Sequence, residues 1–144
     1  MIKNLSVNYR GTIKIDKSLI HKIVKKLTED LNFKISSMQI NFVNSNEMTR
    51  INSKYLNHNY STDIITFNYS ETKNELDGEI YISIDDAASN SKKFRVTFIE
   101  EVLRIVIHGF LHLLGYDDKG KKDKLVMKRL ENSLFNQYRL LLKN

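Results

Sequence analysis

The pattern of apolar residues predicts a single α+β domain over residues 1–144, a small mixed β-sheet packed with helices. Three observations carry this. Residues 97–114 are apolar on nearly every side, as a helix in the middle of a domain must be. Short segments such as Met38-Gln39-Ile40-Asn41-Phe42 alternate apolar and polar residues, the period of a half-buried strand. Strand and helix patterns follow one another along the chain without a linker or repeat between them.

In chain order, Ile2 to Tyr9 alternates in part and reads as a strand. Asp16 reads as the N-cap of a helix over 17–31, with Leu19, Ile20, Ile23, Val24 and Leu27 at helical spacing. A strand at 38–42 follows. Asn44 or Ser45 then caps a second helix with Met48, Ile51 and Leu56 on one face. Ile64-Ile65-Thr66-Phe67 reads as a buried strand, and Glu79 to Ile84 as another, introduced by Asp77-Gly78. Asp85 is placed to cap a short helix reaching Lys93. Thr97 and Glu100 form a capping-box pattern, and Gly115 stands where a C′ glycine ends a helix. The last helix spans 120–142 and presents Met127, Leu130, Leu134, Tyr138 and Leu141 to the core.

Composition narrows the chemistry. Cysteine is absent, which excludes disulfides and thiolate metal sites. No window holds ~18 consecutive apolar residues, so neither a spanning helix nor a membrane partner is expected. The start of the chain has no signal-peptide pattern, and a cytoplasmic location is the expectation. Net charge is +6, and the cations cluster at Lys92, Lys93 and Arg95 and again at Lys119, Lys121, Lys122 and Lys124. Such clusters are solvated surface or an electrostatic footprint for a polyanion; charge alone does not distinguish them.

Two of the four histidines, His108 and His112, lie four residues apart on the apolar central helix. At that spacing both imidazoles leave one face and can converge on one ion. Gly115 then turns the chain, so that Asp118 or Asp117 can supply a third ligand. Two imidazoles and a carboxylate form an accepted zinc set with a fourth position open to water. A zinc peptidase of the His-Glu-x-x-His type carries a general-base Glu directly after the first His. That position is Gly109 here, which argues against such a peptidase.

Residues 108–118, His-Gly-Phe-Leu-His-Leu-Leu-Gly-Tyr-Asp-Asp, resemble the hallmark His-Gly-x-Leu-His-Leu-x-Gly-Tyr-Asp-His of the YbeY endoribonucleases. Every fixed position through Asp117 matches. Asn46-Glu47-Met48 with Asn52 and Tyr55, then Ser61 to Phe67, is similar to the family's second block, and Gly78 to Ser83 to its third. Glu101 falls where the family carries a Glu before the first His, and Met127, Leu130 and Glu131 fit downstream. Two departures stand out. The family's third metal ligand is a His at position 118, here Asp, and its Arg after the Tyr of the second block is here Leu56.

The resemblance implies a metal-dependent endoribonuclease on single-stranded RNA. Its place would be in maturation of small-subunit ribosomal RNA, notably the 3′ end, and in ribosome quality control. It implies one Zn²⁺ held by His108, His112 and Asp118, with His108 and His112 at the catalytic centre. The harder carboxylate of Asp118 also admits Mn²⁺ or Mg²⁺. Arg50, Lys54, Lys92, Lys93 and Arg95 are the candidate RNA contacts, and ribosomal RNA and the small ribosomal subunit the implied partners. Two other readings stay open. One is a metallopeptidase on the same zincin-like, metal-bearing central helix. The other is a non-catalytic ribosome-assembly factor with a structural metal, a reading favoured by Leu56.

Overall fold

The computed structural model describes residues 2–11 and 13–142. Its elements are β1 (Leu5–Tyr9), α1 (Lys17–Asp30), β2 (Lys34–Val43), α2 (Ser45–Leu56) and β3 (Ile64–Asn68). They continue as β4 (Glu75–Ser83), α3 (Ile84–Phe94), α4 (Phe98–Leu113), α5 (Lys121–Tyr138) and a 3₁₀ turn at Arg139–Leu142. The strands form one sheet in the order β1-β2-β4-β3. β1 and β2, and β2 and β4, run parallel, whereas β3 runs antiparallel to β4 at the edge.

Side-chain alternation in the strands sets the layers. Met38, Ile40 and Phe42 of β2 and Leu76, Ile80 and Ile82 of β4 are buried in the main core with Ile20, Ile23 and Val24 of α1. α4 lies in that core with Val102, Leu103, Val106, Ile107, Phe110 and Leu111 wholly covered, as its apolar circumference predicts. A smaller cluster, Val43, Met48, Ile51 and Ile65, joins α2 to the sheet, with Phe67 and Tyr81 against it.

Local signals placed most helix ends. Asp16 accepts from the Leu19 amide, Asn44 from that of Glu47, and Thr97 and Glu100 close a reciprocal capping box. Five expectations need correction. The fourth strand begins at Glu75 rather than Glu79, so Asp77-Gly78 lies inside it. A Cβ on Gly78 would stand 2.4 Å from the Phe67 carbonyl oxygen, so the glycine serves close strand approach. Ser83, not Asp85, caps α3 through the Asp86 amide; Asp85 accepts from the Ser45 amide at 2.7 Å and ties α3 to the start of α2. The chain past Tyr138 tightens into the 3₁₀ turn, where Leu141 is only partly covered. The first strand begins at Leu5 rather than Ile2, and the second is longer than 38–42, spanning Lys34–Val43.

Candidate metal centre

α4 presents Arg104, His108 and His112 at successive four-residue steps, a stripe on an otherwise apolar helix. Gly109, between the histidines, faces the sheet. A Cβ there would approach Ile64 Cδ1 to 2.7 Å and Ile80 Cδ1 to 3.3 Å, so the sheet leaves position 109 no room for a side chain. The missing peptidase Glu therefore has a packing reason: Ile64 of β3 and Ile80 of β4 close off position 109.

His108 Nε2 and His112 Nε2 stand 3.0 Å apart, with ring centroids at 4.6 Å and planes at 73°. Asp118 completes the group: one atom from each of the three residues lies within 4.8 Å of the others. The turn that returns Asp118 is a Schellman motif. Gly115 (φ +101°) donates its amide to the His112 carbonyl and Tyr116 donates to that of Leu111, both at 3.0 Å. Asp117, the other carboxylate considered, instead accepts from the Lys119 amide at 3.2 Å. Two nitrogens on one tetrahedral zinc at ~2.0–2.1 Å lie about 3.4 Å apart, so this donor set fits a single small divalent ion with little adjustment.

The group is backed by α5. Glu131 Oε1 lies 2.6 Å from His108 Nδ1, while its Oε2 accepts from Arg104 Nη1 at 3.0 Å. The same Arg104 nitrogen reaches Asn132 Oδ1 at 2.8 Å, and the guanidinium stacks over the Phe135 ring at 4.2 Å. The Glu131 hydrogen bond pushes the His108 imidazole above its ordinary value, against burial. Burial, then the neighbouring His108 charge, pushes His112 below its own. Burial opposes ionisation of Glu131, but His108 and Arg104 outweigh it and hold this carboxyl below the usual range.

A second acidic layer lies beside the histidines. Asp63, just before β3, accepts from Asn90 Nδ2 at 3.4 Å. Burial, with Asp86 adding to it, pushes Asp63 up against the pull of His108. Glu101 of α4, only 5 % exposed, is likewise pushed up by burial and by Asp63. Sequence patterns assigned no role to Glu131, Arg104 or Asp63. Glu131 follows His108 by 23 residues, and no periodicity links two positions on different helices.

The candidate RNA contacts divide. Arg50, Lys54, Lys92, Lys93 and Arg95 are all exposed. Arg50 is paired with Glu47 within α2, and Lys54 lies 5.2 Å over the Tyr55 ring. Arg95 ends α3 in the left-handed conformation (φ 58°), which costs a non-glycine residue about 1–2 kcal/mol. Its neighbours Phe94 and Val96 line, with Arg104 and Glu131, a cavity of about 400 Å³. The end of α3 is thus brought to the Glu131 side of the centre, whereas α2 contributes no residue to that cavity.

Comparison with known proteins gives a consistent answer. The family model described as "Endoribonuclease YbeY" matches residues 5–139. A protein of that name from Chlorobaculum parvum is 38% identical over 125 residues, covering 87% of this chain and 88% of its own. Another, from Karelsulcia muelleri, is 46% identical over 98 residues, 68% of this chain and 69% of its own. The solution structure of TM1509 from Thermotoga maritima superposes with a TM-score of 0.61 at 26% identity, covering 94% of this chain and 91% of that one.

Proposed function

The chain belongs to the YbeY endoribonuclease family, and from that premise we propose that it is a metal-dependent endoribonuclease of ribosomal RNA processing. Its substrate is single-stranded RNA, its place the maturation of the 3′ end of small-subunit ribosomal RNA and ribosome quality control. The small ribosomal subunit is its partner, and the cytoplasm its compartment. Among the described residues no helix is long and apolar enough to cross a membrane.

The observation that carries the reading is the convergence of His108, His112 and Asp118 within 4.8 Å of one another. These three residues hold the ion; two imidazoles favour zinc, and the carboxylate also accepts Mn²⁺ or Mg²⁺. A divalent ion supplies Lewis acidity toward a phosphoryl oxygen and toward water. The chain's own contribution is position and charge. His108 and His112 are fixed on a buried helix, so the catalytic centre does not drift. Asp118 is exposed, which leaves the loop side open to a polymer strand. Lys92, Lys93 and Arg95 hold phosphates on the side of the Phe94–Val96 cavity, and Arg50 and Lys54 act farther along the strand.

Gly109 weighs against the peptidase alternative, since the sheet occupies the space a general-base Glu would need. Leu56, 46% exposed at the end of α2, favours the third reading, a ribosome-binding factor with a structural metal. One set of assays separates all three. Metal-loaded protein should cleave single-stranded RNA and leave unstructured peptide intact, lose cleavage with chelator, and regain it with zinc. RNA binding should weaken steeply with salt, by a slope of about −0.7 per phosphate contact. Chelated and loaded protein that bind small subunits equally and cleave nothing would establish the structural-metal reading instead.

A further inference from the structure

The three ligands of the centre are not equally supported. The second nitrogen of His112 has no protein hydrogen-bond partner among the described residues, and Asp118 stands on an exposed loop. His108 alone is held from behind, by a carboxylate that uses one oxygen for the imidazole and the other for Arg104. Arg104 sits one helical turn before His108 on α4, so Glu131 from α5 spans two successive members of the same stripe. Its side chain is 13% exposed, and Arg104 is itself fixed by Asn132 and by the Phe135 ring.

We propose that Glu131 is the positioning residue of the metal centre and that Arg104 sets Glu131 in its working posture. Glu131 accepts a hydrogen bond from the Nδ1–H of His108, which leaves the Nε2 lone pair free to face an ion between the two rings. A carboxylate behind a ligating histidine fixes the ring's tautomer and orientation and raises its basicity. Free histidine prefers the opposite tautomer, with the proton on Nε2, so the protein must impose this one. Arg104 matters because a carboxylate with one oxygen unheld can rotate away from the ring. Its planar guanidinium spans Glu131, Asn132 and the Phe135 face together, which an ammonium cannot do. The proposal rests on the metal-centre reading of His108, His112 and Asp118.

The test is a zinc competition titration on the full chain, beside ¹⁵N NMR of the histidines in metal-free protein above the imidazole titration range. Glu131→Gln should weaken zinc binding by about 10–100-fold with the fold retained. It should also move His108 from the Nδ1–H toward the Nε2–H tautomer, which loss of packing alone would not do. Arg104→Lys should weaken zinc by a smaller factor in the same direction. Arg129→Ala, on the exposed face of α5, should change neither reading. Zinc affinity and His108 tautomer both unchanged in Glu131→Gln overturn the positioning role. Should that variant unfold, Arg104→Lys decides the question, and wild-type affinity in it overturns the relay. Wild-type protein that takes up no zinc defeats the metal-centre reading and, with it, this one.

Discussion

The helix half and the loop half of the centre are built on different principles. His108 and His112 ride on α4, whose apolar faces are closed by the sheet and by α5. Asp118 rides on the turn after Gly115, where residues 115–120 are all exposed. The same contrast appears in the two glycines. Gly109 is needed for space, since a Cβ would press on Ile64 and Ile80; Gly115 is needed for its backbone, since φ +101° strains any other residue while nothing lies within 4 Å of its Cβ. A rigid pair of imidazoles with an adaptable carboxylate keeps one side of an ion constant and lets the other vary. Affinity and metal choice should therefore be tuned at the loop, and existence of the site decided at the helix.

The largest effect should come from the helix. His112→Ala should abolish zinc-dependent RNA cleavage and weaken zinc by more than the ~10–100-fold typical of an outer partner. Asp118→Ala should cost less on both measures, read by competition titration and single-turnover cleavage. Equal losses in the two variants would break the comparison, because the loop would then be as indispensable as the helix.

Next in size are the glycines. Gly109→Ala should destabilise by about 1–3 kcal/mol through overpacking, offset in part by about 0.5–1 kcal/mol of helix propensity. Urea denaturation measures the net. Because isoleucine tips can move, wild-type stability in this variant would show that α4 is less tightly held than its burial suggests. Gly115→Ala should cost about 1–2 kcal/mol from backbone strain alone. It should also weaken zinc, because Asp118 lies just beyond the turn.

The smallest change sharpens the loop side. Asp118→His should tighten zinc severalfold and keep or raise cleavage, since imidazole suits zinc and, being neutral, leaves more charge on the ion. Preference for Mn²⁺ over zinc should fall in the same variant. Behaviour like Asp118→Ala would mean the loop path is matched to the shorter carboxylate and does not admit a ring.

What was legible in the chain is what one helix and its ends encode. Capping box, apolar circumference, glycine stop and the i, i+4 histidines all lie within residues 97–118, where helical geometry converts spacing directly into position. Family motifs in the same stretch led to the membership that the comparisons establish. Relations between elements came from packing: Glu131 of α5 backs His108, Arg104 on the stripe pairs with that carboxylate, and Asp63 lies near enough to Glu101 to push it up. Packing also puts Asp77-Gly78 inside the strand it was expected to introduce, and the α3 cap at Ser83 rather than Asp85. The physical reason is that local propensity acts over one turn or one pleat. Contacts between side chains many residues apart depend on how helices pack on the sheet, and leave no periodic trace in the chain.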